Sequence, residues 1–183
     1  MPGVAAATPA HRLLREQTRD AHEAAEATSG MRRLMDGRMD VEGYRAMLEA
    51  QLALFREWES ERGEWLGAIR DSWNYTSRAI PLETDLCRSA PCARPVARKA
   101  RSYTDDAACW GELYVIEGSS LGGRVIVKRL RTMFPDLPHH YYAMGEASPT
   151  DWRRFQAVLD NALPDDDTRQ QALRGARAMF ARF

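Results

Sequence analysis

The chain has no excess charge of either sign: 26 Lys and Arg balance 26 Asp and Glu over 183 residues. A general nucleic-acid binder would carry a basic surplus, so that class is set aside. No apolar run approaches the ~18 residues that a membrane span needs. The opening MPGVAAATPA has no basic start and no long apolar stretch, so it does not read as a secretion signal. Residues 1–9 are expected to be a disordered tail. Cysteine is scarce, with only Cys87, Cys92 and Cys109. That odd, sparse set is too small for a zinc site or a disulfide framework, and it points to a reduced, cytoplasmic protein. There is no internal repeat, linker or low-complexity run, so residues 10–183 are expected to form one domain.

What is present reads as helices. Thr8 and Pro9 look like an N-cap and a first helical position, and nothing breaks the segment until Gly30. Asp40 caps a stretch from Val41 to about Glu61. There Tyr44, Met47, Leu48, Leu52, Phe55 and Trp58 recur at spacings of three and four, one apolar face. Residues 62–104 contain Pro81, Pro91 and Pro95 and are expected to form short helices joined by loops. Thr104, Asp105 and Asp106 open a helix running to about Met133, since acids favour the N-terminal end of the dipole. Ser148 to Asp151 form a near capping box, and Asp165 to Asp167 open a last helix. Leu113–Ile116 and Val125–Val127 are strand-like in composition but lie inside a segment of helical length. The fold class is all-α.

Two places carry chemistry. The first is Gly118-Ser119-Ser120-Leu121-Gly122-Gly123, set inside a helix, where each glycine costs roughly 0.5–1 kcal/mol relative to alanine. Close packing on another helix is one explanation. A nucleophile elbow is a second, because Gly118 to Gly122 fits G-x-S-x-G with Ser120 as nucleophile. That pattern belongs at a strand–turn–helix junction, and no strand precedes it. The third is a helix whose backbone must lie close against a flat ligand.

The second place is His22, with Glu26 at i+4 and Arg15 at i−7 on nearly one helical face. A histidine that ligates a metal commonly donates its other N–H to an acceptor, often a carboxylate. An ordinary surface His–Glu pair explains the same spacing. His11, on the same face three turns earlier, and His139 and His140, in a loop after Pro138, are read as uninvolved.

Together, LREQTRDAHEAAEA (13–26) and ELYVIEGSSLGGRVI (112–126) resemble bacterial heme oxygenase, in particular the biliverdin-forming branch associated with bacteriophytochromes. The resemblance spans about Ala10 to Phe183. It implies that heme, both cofactor and substrate, is sandwiched between the first helix and a glycine-bent distal helix. His22 matches the proximal ligand and Glu26 the carboxylate behind it. Gly118, Gly122 and Gly123 match the distal glycines. Arg15 and Arg153 match basic residues that pair with propionates.

The match has departures. Ser119 stands where many members place Asp, and Phe55 where a Tyr often supports ordered water. The implied reaction consumes molecular oxygen and yields biliverdin, carbon monoxide and iron. No flavin or nicotinamide motif is present, so electrons would come from a separate ferredoxin or flavoprotein reductase. Arg94, Arg98, Lys99 and Arg101 are a candidate face for such a donor. An apo-phytochrome is an implied recipient of biliverdin; neither a nucleic acid nor a membrane is an expected partner. A heme-binding or sensing protein without turnover is the alternative that the missing Asp suggests. A serine hydrolase using Ser120 is a remote third.

Overall fold

In the computed structural model, residues 8–86, 106–146 and 149–183 are described. They form helices with no strand among them, so the all-α expectation holds, including at the strand-like runs 113–116 and 125–127. Residues 1–7 of the expected tail, Cys87 and Cys92, the basic stretch Arg94, Arg98, Lys99 and Arg101, the expected helix openers Thr104 and Asp105, and Ser148 of the near capping box lie outside the described residues.

The core is built on two long helices, α4 (Val41–Ala68) and α6 (Asp106–Met133). Asp40 caps α4 as its sequence suggested, with its carboxylate accepting from the Gly43 amide at 2.8 Å. The helix runs past the expected Glu61 to Ala68 and buries Tyr44, Leu48, Leu52, Phe55, Trp58 and Trp65 along one side. It lies antiparallel to α6. Tyr44 stacks on Phe134 at 5.5 Å, the Trp58 indole donates to Glu112 at 2.8 Å, and Trp65 donates to Asp106. Arg62 adds two bonds of 2.8 Å to the same Glu112 carboxylate, which pairs a charge that would otherwise be costly to bury.

The last helix, α9 (Asp166–Phe180), crosses α6 at close range. A Cβ on Gly111 would stand 1.8 Å from the Ala172 carbonyl oxygen, and one on Gly175 would stand 2.0 Å from that of Ala108. Only glycine admits that approach. Asp165 caps α9 reciprocally: its carboxylate accepts from the Thr168 amide at 2.8 Å while the Thr168 hydroxyl faces the Asp165 amide.

The first segment is bent where the sequence suggested one unbroken helix. It divides into α1 (Ala10–Gln17) and α2 (Arg19–Glu26) at Thr18. The Thr18 hydroxyl donates to the Leu14 carbonyl at 2.8 Å, a back-bond of the kind that bends helices. Gly30 does not terminate the segment either; it lies within α3 (Ser29–Met35). Helix α1 packs on α9 and on α8 (Pro149–Ala162) through buried Ala10 and Leu14. Between α4 and α6 come α5 (Ala79–Asp85), and after α6 the short α7 (His140–Ala143) and a 3-10 turn, Met144–Glu146. The buried Asp85 carboxylate accepts from the amides of His140 and Tyr141 at 2.8 and 2.9 Å, which ties α7 to α5. The 3-10 turn then sits on α6 beside its glycines.

Candidate functional site

Two exposed surfaces correspond to the two motifs. The first is α2, which buries none of its residues and packs on α9 and α1. An eight-residue helix is marginal by itself, so this one depends on what it packs against. His22 is 57% exposed and Glu26 68% exposed, with Nδ1 of the imidazole 3.6 Å from Oε2 of the carboxylate. The pair is at ion-pair distance, one helical turn apart, and such a pair in water contributes little. The other side of the ring meets the edge of Phe180 at 5.9 Å in a T-shaped contact. Nε2 makes no hydrogen bond among the described residues.

The second surface is the middle of α6. The helix continues through all three glycines. Nothing stands within 4 Å of where a Cβ on Gly122 would lie, and one on Gly118 would meet only the ring of Trp152, at 3.4 Å. Leu121 and Val125, on either side of Gly122, are 40% and 57% exposed. An apolar strip with open space over its glycine backbone is the surface a flat apolar ligand requires. Close helix packing does not explain Gly122.

Gly123, the third glycine of the motif, has different surroundings. It is buried, and its Cβ would lie 3.0 Å from the Tyr142 carbonyl oxygen and 3.6 Å from the Gly145 Cα. One residue further along a helix is a rotation of about 100°, which takes this glycine off the Gly122 face. Gly145 answers it, since a Cβ there would be 2.1 Å from the Ser120 carbonyl oxygen. Gly123 and Gly145 together seat the 3-10 turn on α6.

Ser119 is exposed and donates its hydroxyl to the Ile116 carbonyl at 2.7 Å. Arg15 is exposed on α1 and acts on Tyr114, one turn before Gly118; burial pushes the Tyr114 phenol up and the Arg15 guanidinium opposes that. Arg153 is exposed on α8, with no hydrogen bond or ion pair among the described residues. The described helices thus place Arg15 toward α6, while α2 and α6 share no extensive packing.

Ser120 is not set up as a nucleophile. Its Oγ lies 3.4 Å from the Arg78 guanidinium, and the four histidines are engaged elsewhere. His11 pairs with Asp160 at 2.7 Å, His22 faces Glu26, and His140 pairs with Asp85 at 2.8 Å. His139 is buried between the Tyr44 hydroxyl and the Phe134 carbonyl, each at 3.0 Å. His139 and His140 thus both have partners within the fold. Phe55 is fully buried, 5.9 Å from the rings of Tyr141 and of Phe183.

Sequence reasoning missed three contributors: Trp152, which covers Gly118; Arg78, buried beneath α6; and its partner Glu117. Arg78 lies in a stretch without helical periodicity, and Trp152 carries no signal beyond its type.

A family model described as heme oxygenase matches residues 8–183. A heme oxygenase of Xanthomonas campestris pv. campestris (strain 8004) is 41% identical over 157 residues, covering 84% of this chain and 93% of that protein. Two solved structures share the fold at 18% identity. Heme oxygenase from Leptospira interrogans superposes with a TM-score of 0.75, covering 96% of each chain. The NO- and CO-bound heme oxygenase from Neisseria meningitidis gives 0.71, covering 96% of this chain and 88% of that one.

Proposed function

The chain belongs to the heme oxygenase family, and we propose that His22 is its iron ligand and that the Gly118–Gly122 face of α6 covers the opposite side of the heme. The reaction is the oxidative opening of heme to biliverdin, carbon monoxide and iron, with oxygen and an external reductant. Heme supplies both the iron at which oxygen reacts and the ring that is cleaved. The observation that carries the site assignment is the pairing of an exposed imidazole, with a carboxylate one turn on, with a helix whose backbone is open at Gly122.

The side chains divide the work as follows. With Nδ1 turned to Glu26, His22 offers Nε2 as the donor atom. Glu26, 3.6 Å away, would on closing to hydrogen-bond distance hold the ring's orientation and tautomer and make it a stronger base. Gly118 and Gly122 present backbone in place of side chains, so α6 comes close to the ring. Leu121 and Val125 keep water from the apolar faces. Arg15 and Arg153, both exposed, meet the propionates, for which a guanidinium offers two parallel donors. Ser119, where many relatives have Asp, has its hydroxyl proton committed to Ile116. It therefore accepts hydrogen bonds from water near the reacting centre and does not donate them.

Among the described residues no helix is long and apolar enough to cross a membrane. The scarce cysteines fit a cytoplasmic setting. The electron donor is a ferredoxin or a flavoprotein reductase. The motif's resemblance to the phytochrome-associated branch supports delivery of biliverdin to an apo-phytochrome.

The test is to load the protein with heme, record the Soret band, and supply reductant and oxygen. Conversion to a green bilin with release of chelatable iron is expected. A Soret band that persists under these conditions would overturn turnover and leave a heme-binding protein.

A further inference from the structure

Arg78 is 5% exposed, at the entrance to α5, and its side chain reaches α6. Nη2 is 2.8 Å from Glu117 Oε2 and 3.4 Å from Ser120 Oγ, and Nη1 donates to the Thr76 carbonyl at 2.7 Å. The guanidinium also lies over the Tyr75 ring, 5.3 Å from its centre. The second Glu117 oxygen accepts from the Trp73 indole at 3.1 Å.

The backbone under Arg78 is itself anchored. Glu59 of α4 accepts from the Tyr75 hydroxyl (2.9 Å), the Ser77 hydroxyl (2.8 Å), and the amides of Arg78 (2.7 Å) and Ala79 (3.2 Å). One polar chain thus runs from α4 through Glu59, residues 75–79 and Arg78 to the two α6 residues that bracket Gly118.

We infer that Arg78 is a positioning residue for ring opening: through Glu117 and Ser120 it sets where the open glycine face of α6 stands against the heme. The inference rests on the reading of that face as the heme cover. Three observations support it. The glycines weaken α6 at 118–123, so its position there depends on outside contacts. On one side the 3-10 turn supplies such a contact, with Gly145 against the Ser120 carbonyl. On the other, apolar packing is incomplete: the Trp152 ring reaches Gly118, but a cavity of about 290 Å³ lies among Trp73, Arg78, Glu117, Ser120, Trp152 and Phe155, and the ion pair bridges its edge. A buried ion pair is an inefficient source of stability compared with apolar packing. What it does supply is direction, because a planar guanidinium holds its acceptors at fixed angles.

The test uses the full chain with Arg78→Met, Arg78→Lys and Glu117→Gln, the last nearly isosteric in case Arg78→Met fails to fold. Two readouts are taken: amide hydrogen exchange of the heme-free protein, and the ratio of biliverdin isomers from the heme-loaded one. Arg78→Met is expected to speed exchange at residues 118–123 by about tenfold or more, the scale of one lost charged hydrogen bond. Residues 108–115 should stay at the wild-type rate, and the isomer ratio should broaden. Arg78→Lys, which keeps a charge on Glu117 but loses the fork, should restore both in part. Glu117→Gln should lie between Arg78→Met and wild type. Unchanged exchange at 118–123, an equal rise along all of α6, or faster exchange with the wild-type isomer ratio would each overturn the inference. If the wild-type protein fails to open heme, the site reading falls, while the exchange arm still decides whether Arg78 holds the glycine segment.

Discussion

Gly122 and Gly123 are adjacent in α6 and do opposite things. Nothing lies within 4 Å of a Cβ on Gly122, whereas one on Gly123 would sit 3.0 Å from the Tyr142 carbonyl oxygen. Substitution separates ligand approach from packing. Gly122→Leu is expected to leave the melting temperature of the heme-free protein unchanged or raise it, because a helix-interior glycine is replaced without a clash. It should also suppress bilin formation per folded molecule. Gly123→Ala pushes on backbone and is expected to cost roughly 1–3 kcal/mol of stability. Thermal unfolding of the heme-free variants, set beside bilin yield, checks both. A large stability loss in Gly122→Leu with normal chemistry would remove that glycine from the site.

Glu26 is expected to act on the iron only through His22. Partners of this kind typically change metal affinity or activity by roughly 10–100-fold. Glu26→Ala should bind heme, lower the iron–histidine stretching frequency of the ferrous form and slow bilin formation, with Glu26→Gln intermediate. If both quantities match wild type in Glu26→Ala, the carboxylate is a solvated helix residue.

Asp165 gives a pH signature remote from the site. Its carboxylate sits below the usual range because the Thr168 amide and hydroxyl bond to the ionised form. A group whose folded pKa is depressed stabilises above its unfolded value and loses that contribution as the pH falls through the folded one. Wild type should therefore exceed Asp165→Asn in stability at neutral pH, and the gap should close below about pH 4, the ordinary aspartate range. Denaturant midpoints of the two proteins across that range are the check; a gap independent of pH would mean the charge plays no part.

Much of this was legible in residue order. The caps at Asp40 and Asp165, the end of α6 at Met133 and the apolar face of α4 follow from spacing and capping chemistry, which act over a few residues. The bend at Thr18 was not legible, because a threonine that back-bonds to Leu14 looks like any other threonine in a helical run. The different surroundings of Gly122 and Gly123 depend on where the 3-10 turn lands, and the Gly111–Gly175 crossing depends on two helices some sixty residues apart. Arg78 was invisible for the same reason: its partners come from α6 and its support from α4, and no local pattern joins them.

The most direct measurement of the central claim is the ferric heme spectrum of His22→Ala with and without added imidazole. Loss of the wild-type spectrum and of bilin formation is expected, with imidazole restoring the spectrum in part. His139→Ala is the control. It leaves the Tyr44 hydroxyl without its buried partner, so it should lower stability by roughly 1–3 kcal/mol and leave the heme spectrum unchanged. A His22→Ala protein that keeps the wild-type spectrum and full bilin yield without imidazole would contradict the assignment of His22 as the iron ligand.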